Sequence, residues 1–115
     1  MKAALKSISN DDCDLNKYFP EDETVFFLRL LIRIGTADSD GADNFDLGVC
    51  TPEWLCKHQW GPDLMRHTLL VRKYDLDEIK KVITDYIEQC EGNDWMEIAQ
   101  KLSRVFAWEF EDYQP

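Results

Sequence analysis

The sequence predicts an α+β fold: a mixed or mostly antiparallel sheet of about four strands, with two C-terminal helices on one face and a short helix before the last strand. Three observations carry this prediction. Period-two apolar alternation recurs through the first two thirds of the chain, marking strands. Two segments near the C-terminus instead repeat their apolar residues at the 3.6-residue helical period. Strands gathered ahead of helices argue against alternating βαβ units and their parallel sheet. The 115 residues suit one domain, residues 1–115, and the 44% hydrophobic and 12% aromatic content is that of a globular chain, not a disordered one.

Taken in order, residues 2–9 form a short first strand, although Ala3, Leu5 and Ser7 alternate only weakly. Phe26, Leu28, Leu30, Ile32 and Ile34 then alternate with Phe27, Arg29, Leu31 and Arg33, giving a strand with one core face and one mixed face. Gly35 ends it, and the Asp-, Ser- and Gly-rich residues 36–44 make a hairpin loop. Phe45, Leu47 and Val49 alternate with Asp46, Gly48 and Cys50 in a strand paired with the previous one. Thr51-Pro52-Glu53 opens a short helix: a capping hydroxyl, a proline at the first helical position and an acid at the positive end of the helix dipole. Gly61-Pro62 stops that helix, and Met65, His67, Leu69 and Val71 alternate in the last strand, with His67 on its core side.

Residues 75–90 hold the clearest helix. Ile79, Val82, Ile83, Tyr86, Ile87 and Cys90 share a stripe, Asp75 with Glu78 resembles a capping box, and Gly92 is the stop signal. Asp94 with Glu97 repeats the box and opens a final helix carrying Trp95, Ile98, Ala99, Leu102, Val105 and Phe106 on one side. Trp108 and Phe110, just beyond it, are expected to close one end of the core.

Charge is the unusual property. The 13 Lys+Arg against 23 Asp+Glu leave a net −10, which excludes coating of DNA or RNA and favours a basic partner. The acidity is local. Residues 10–23 hold six carboxylates and one lysine, residues 36–46 hold four carboxylates, and residues 107–115 hold three. Asp38, Asp40, Asp43 and Asp46, with Glu109, Glu111 and Asp112, are therefore the expected partner-binding acids, and Trp60 and Tyr113 the expected aromatic anchors. Residues 1–7 lack the apolar run of a signal peptide, and the apolar residues 25–34 are too short for a membrane span and broken by Arg29 and Arg33. A cytoplasmic protein without nucleic-acid or membrane partners is expected, its Cys13, Cys50, Cys56 and Cys90 reduced.

Reaction chemistry is poorly represented. Aligning Asp38, Asp40 and Gly41 with an EF-hand loop puts Thr36 first and Leu47 twelfth, where carboxylates are needed. Cys50, Cys56, His58 and His67 lack the spacing of a zinc knuckle. Cys56 and His58, two apart on a helix, point away from each other, so they make a poor nucleophile–base pair. The glycines match no phosphate-binding loop. No catalytic residue, cofactor or metal is expected, and binding is the better class. An adaptor domain with another basic partner is the alternative reading, and a metal- or thiol-dependent enzyme the third.

The strand ending Ile34-Gly35, the polar loop, the run Phe45-Asp46-Leu47-Gly48-Val49-Cys50-Thr51-Pro52-Glu53-Trp54-Leu55 and the closing Trp108-Glu109-Phe110-Glu111-Asp112 together resemble the immunity protein 8 family. The resemblance runs from about Phe26 to Tyr113 and lies in the order and spacing of structural motifs. It implies a small cytoplasmic α+β protein of bacterial polymorphic-toxin and contact-dependent inhibition systems. Such a protein binds one toxin domain, one-to-one, and protects the producing cell and its siblings. It implies no catalytic residues. Many such toxins are nucleases or otherwise basic, and an acidic inhibitor suits them.

Overall fold

A computed structural model describes residues 1–112. The chain runs β1 (Ala3–Ser9), β2 (Phe27–Thr36), β3 (Asp43–Cys50), α1 (Pro52–His58), β4 (Thr68–Leu70), α2 (Leu76–Gln89), α3 (Trp95–Leu102) and β5 (Ala107–Trp108). One mixed sheet has the order β1-β2-β3-β4, antiparallel except where β4 joins β3 in parallel. The far edge of β3 is shared: β4 pairs along Gly48–Cys50, and β5 pairs antiparallel with Phe45 and Asp46. The predicted α+β class, sheet and helix order are all present.

Alternation decides the two faces. Leu28, Leu30, Ile32 and Ile34 of β2 and Phe45, Leu47 and Val49 of β3 are buried, together with Ile79, Ile83 and Ile87 of α2 and Ile98, Ala99 and Leu102 of α3. The opposite sheet face carries Phe27, Arg29, Leu31 and Arg33, of which both arginines are exposed. There Trp54 of α1 tilts over Phe27, ring centroids 4.9 Å apart, and covers one end of that face. The buried Thr51 ties α1 to the sheet, its hydroxyl accepting from the Trp54 and Phe26 backbone amides at 3.3 and 3.4 Å.

Both long helices begin as expected: Asp75 Oδ1 accepts from Glu78 N at 3.2 Å, and Asp94 Oδ1 from Glu97 N at 2.8 Å. Their ends differ from expectation. α2 stops at Cys90 in extended backbone, and Gly92 does not adopt the left-handed conformation of a terminating glycine. α3 ends at Leu102, so Val105 and Phe106 follow it in a turn, although Phe106 remains buried in the core. Gly35 lies inside β2, not after it, paired with Ala4. The last predicted strand is shorter than residues 65–71, because Met65 and His67 have φ of 47° and 57° and only Thr68–Leu70 extends.

Edge strand β1 is protected along its open side. Its register shifts at Lys6, and its start is tied to the end of α2 by Ala3 N donating to Cys90 O and Gly92 N donating to Met1 O, both at 3.1 Å.

Candidate partner-binding surface

The β2–β3 hairpin presents Asp38 and Asp40 on an exposed turn. The turn is held from within: Gly41 N donates to Ser39 Oγ at 3.1 Å, and Lys6 Nζ, from β1, donates to Ser39 O at 2.5 Å. Asp43 plays a different part. Its Oδ2 accepts from Trp95 Nε1 at 2.8 Å and from Trp108 Nε1 at 3.0 Å, so one carboxylate joins β3 to α3 and β5. Phe45 stacks on Trp108 beneath this junction, ring centroids 6.4 Å apart and planes 15° apart. Asp43 is half-buried and engaged internally, unlike the exposed acids of the turn.

Strand β5 draws the C-terminal acids to the same edge. Asp46 pairs with Ala107, Glu109 N donates to Asn44 O at 3.1 Å, and Glu109 Oε1 accepts from Asn44 N at 2.9 Å. Two acidic segments 65 positions apart in sequence are thereby adjacent. Glu111 reaches a third segment, pairing with Arg66 Nη2 at 3.0 Å on the loop between α1 and β4. Both side chains are substantially exposed, so this pair locates the loop more than it stabilises the fold. Asp112 is exposed at a φ of 60°, and Tyr113 lies outside the described residues. Trp60 is on the same α1–β4 loop and is 87% exposed. The structure thus brings Asp43, Asp46, Glu109 and Glu111 near the β5 edge of the sheet, with Asp43 and Asp46 on opposite faces of β3. Phe110 departs from expectation: it packs edge-on against Trp108 but is 42% exposed, so Trp108 alone closes the core there.

The α1–β4 loop holds residues that sequence reasoning passed over. Leu64 is 97% exposed, and Met65 is also exposed. Their only sequence signal is a pair of large apolar residues between Gly61-Pro62 and Arg66, inside a segment that resembles a strand. The left-handed backbone at Met65 and His67 costs about 1 kcal/mol each for residues with a Cβ. It also turns His67 away from its predicted core position. His67 instead lines a cavity of about 260 Å³ on the outer sheet face with Phe27, Arg29, Trp54 and Arg66. Its Nε2 is buried without a hydrogen-bond partner among the described residues.

Nucleophilic and metal chemistry find little footing. Burial pushes the thiols of Cys50 and Cys90 up, which keeps both protonated at neutral pH. Cys56 is exposed on α1, and His58, two residues on, lies against the Trp54 ring at 4.9 Å. Among the described residues, no three His, Cys, Asp or Glu side chains are grouped to hold a metal ion, and no helix is long and apolar enough to cross a membrane.

No curated protein and no solved structure matches the chain. The sequence model of one family does match, immunity protein 8, over residues 3–113, nearly the whole chain. With the α+β fold already in view, that match shows what the chain is: it belongs to the immunity protein 8 family, which implies an immunity protein directed against a toxin.

Proposed function

We propose that this protein is a non-catalytic, stoichiometric inhibitor. It binds one cognate toxin domain one-to-one in the bacterial cytoplasm, through an acidic surface that meets a basic face of the toxin. A nuclease, or another enzyme whose substrate cleft is basic, fits such a surface, since the carboxylates occupy the ground that phosphates would take. Contacts come from Asp38, Asp40 and Asp46 of the hairpin and from Glu109, Glu111, Asp112 and Tyr113 of the C-terminal segment, with Trp60 as an aromatic anchor. Asp43 contributes by holding this edge together and by its charge.

The observation that carries the reading is the pairing of β5 with β3. It sets the two acidic segments side by side through Asn44 and Glu109, concentrating charge that the sequence distributes. An acidic patch of this kind acts chiefly on the encounter rate. The triple variant Asp38→Lys, Asp40→Lys, Asp112→Lys alters exposed carboxylates that no described hydrogen bond uses. Stopped-flow or surface-plasmon kinetics with the cognate toxin domain at low salt should show association slowed about tenfold. The difference should close as salt is raised. Unchanged association kinetics in a folded variant would remove these segments from the interface.

A further inference from the structure

Residues 10–23 hold six carboxylates and one lysine, more acid than either segment at the β5 edge, yet none of them belongs to the surface described above. Residues 18–22 of that segment line a groove of about 470 Å³ together with residues 25–27 and α1. Two sets of rings border it. Phe27, Trp54 and His58 form a tilted stack, successive centroids 4.9 Å apart, and His58 ends it exposed. Phe19 is 65% exposed, although its ring is held edge-on against the buried Tyr74 at 5.5 Å. Tyr74 also meets Tyr18 and Phe26 edge-on, so Phe19 is the outermost ring of a packed cluster and not a loose side chain.

The charge around the groove is negative. Glu21 and Asp22 line it, and Glu53 joins them: its Oε2 accepts from Thr24 Oγ1 at 3.4 Å, and Asp22 Oδ1 accepts from the same hydroxyl at 2.8 Å. Against these three carboxylates stands Lys57, also a lining residue. The bonds from Thr24 lower the Asp22 carboxyl from its ordinary value, and Lys57 adds a smaller pull. Arg29 lies over the Phe27 ring at 5.6 Å but lines the adjoining cavity of His67, and the balance stays negative even with Arg29 included. Next along the chain, Lys17 and Glu23 cancel, as do Lys73 and Asp75. Among the described residues, no ion pair engages Glu21, Asp22, Glu53 or Lys57.

An exposed ring beside unpaired carboxylates selects one kind of occupant. A guanidinium is planar, so it stacks on a ring face while its edge donates to a carboxylate; an ammonium lacks that shape. We infer that this groove receives an arginine side chain of the cognate toxin domain, stacked on Phe19 and paired with Glu21. The inference rests on the toxin-inhibitor reading and adds a second contact to it. That contact lies at the end of the β2–β3 pair opposite the hairpin turn, so the two together fix how the toxin is oriented.

The test is the binding kinetics of the cognate toxin domain with the Phe19→Leu, Glu21→Gln and Lys57→Gln proteins. Phe19→Leu keeps apolar bulk but removes the ring face, and should speed dissociation about fivefold. Glu21→Gln should act in the same direction, whereas Lys57→Gln, which removes the opposing charge, should raise affinity about twofold. Glu21 and Lys57 are exposed, so their variants should melt with the parent. Replacing the toxin's surface arginines by glutamine, one at a time, should find one whose effect disappears in the Phe19→Leu protein. Parental kinetics for both Phe19→Leu and Glu21→Gln would overturn the inference, as would the absence of any coupled arginine. Faster dissociation of Lys57→Gln would also overturn it, since the occupant would then be a carboxylate. So would a dimer of the free protein that Phe19→Leu converts to monomer, a second copy then being the occupant. If the charge reversals at Asp38, Asp40 and Asp112 slow association while the groove variants behave as the parent, only the groove fails. A parent protein that does not bind the toxin removes the inhibitor reading and the groove's role together.

Discussion

Asp43 shows how one residue can be misjudged by its charge alone. Read as part of an Asp-rich loop, it is one more surface acid; in the fold its carboxylate accepts from two indole N–H groups on different elements. Hydrogen bonds to a charged acceptor contribute about 1.5–3 kcal/mol each in protected settings, and less where water has access. Asp43→Ala should therefore cost about 2–3 kcal/mol, a large share of the stability of a small domain. Urea unfolding checks it: the midpoint should fall with little change in slope. A variant as stable as the parent would mean that the indoles find water as readily as the carboxylate. The spacing of Asp43 to Trp95 and Trp108, 52 and 65 positions, carries no periodic signal. Only the fold can reveal that contact.

Among the elements, those with their own chemistry were legible from sequence. The β2 and β3 faces follow from strict alternation, and α2 and α3 from an apolar stripe behind an Asp N-cap. Elements that exist only by tertiary pairing were not. β5 is two residues long and is a strand because β3 lies beside it, so Ala107-Trp108 could not announce it. The residues before β4 alternate like a strand, yet two left-handed residues break the extension, and nothing in Met65-Arg66-His67 foretells that. The candidate site divides the same way: its acids were visible as composition, but the approach of Glu109 to Asn44 beside Asp46 was not. Gly35 is a further case. It reads as a strand terminator, whereas its real constraint is the facing end of the hairpin: a Cβ there would lie 1.9 Å from the carbonyl oxygen of Gly41. Since backbone and not a flexible side chain blocks the way, Gly35→Ala should destabilise by about 3 kcal/mol. Thermal unfolding of that variant, compared with Gly41→Ala, checks this. The added methyl at Gly41 meets only Ser39 Oγ at 3.5 Å and should be far milder.

At the scale of the whole molecule, the fold assigns its two sheet faces different work. One face holds the core under α2 and α3. The edge bearing β5 sets Asp46 and the C-terminal acids together, with the exposed apolar side chains of the α1–β4 loop beyond them. A net charge of −10 would be a burden on compaction if it were spread through the packed elements; carried mainly by loops and by the C-terminal segment, it stays solvated and available to a partner. The central claim is that this surface silences one toxin domain by stoichiometric binding. The most direct measurement is a titration of the toxin's own activity with the purified protein, at concentrations well above the dissociation constant. The account predicts a linear fall in activity that reaches zero at one equivalent. Full toxin activity in the presence of a several-fold excess of folded protein would contradict it.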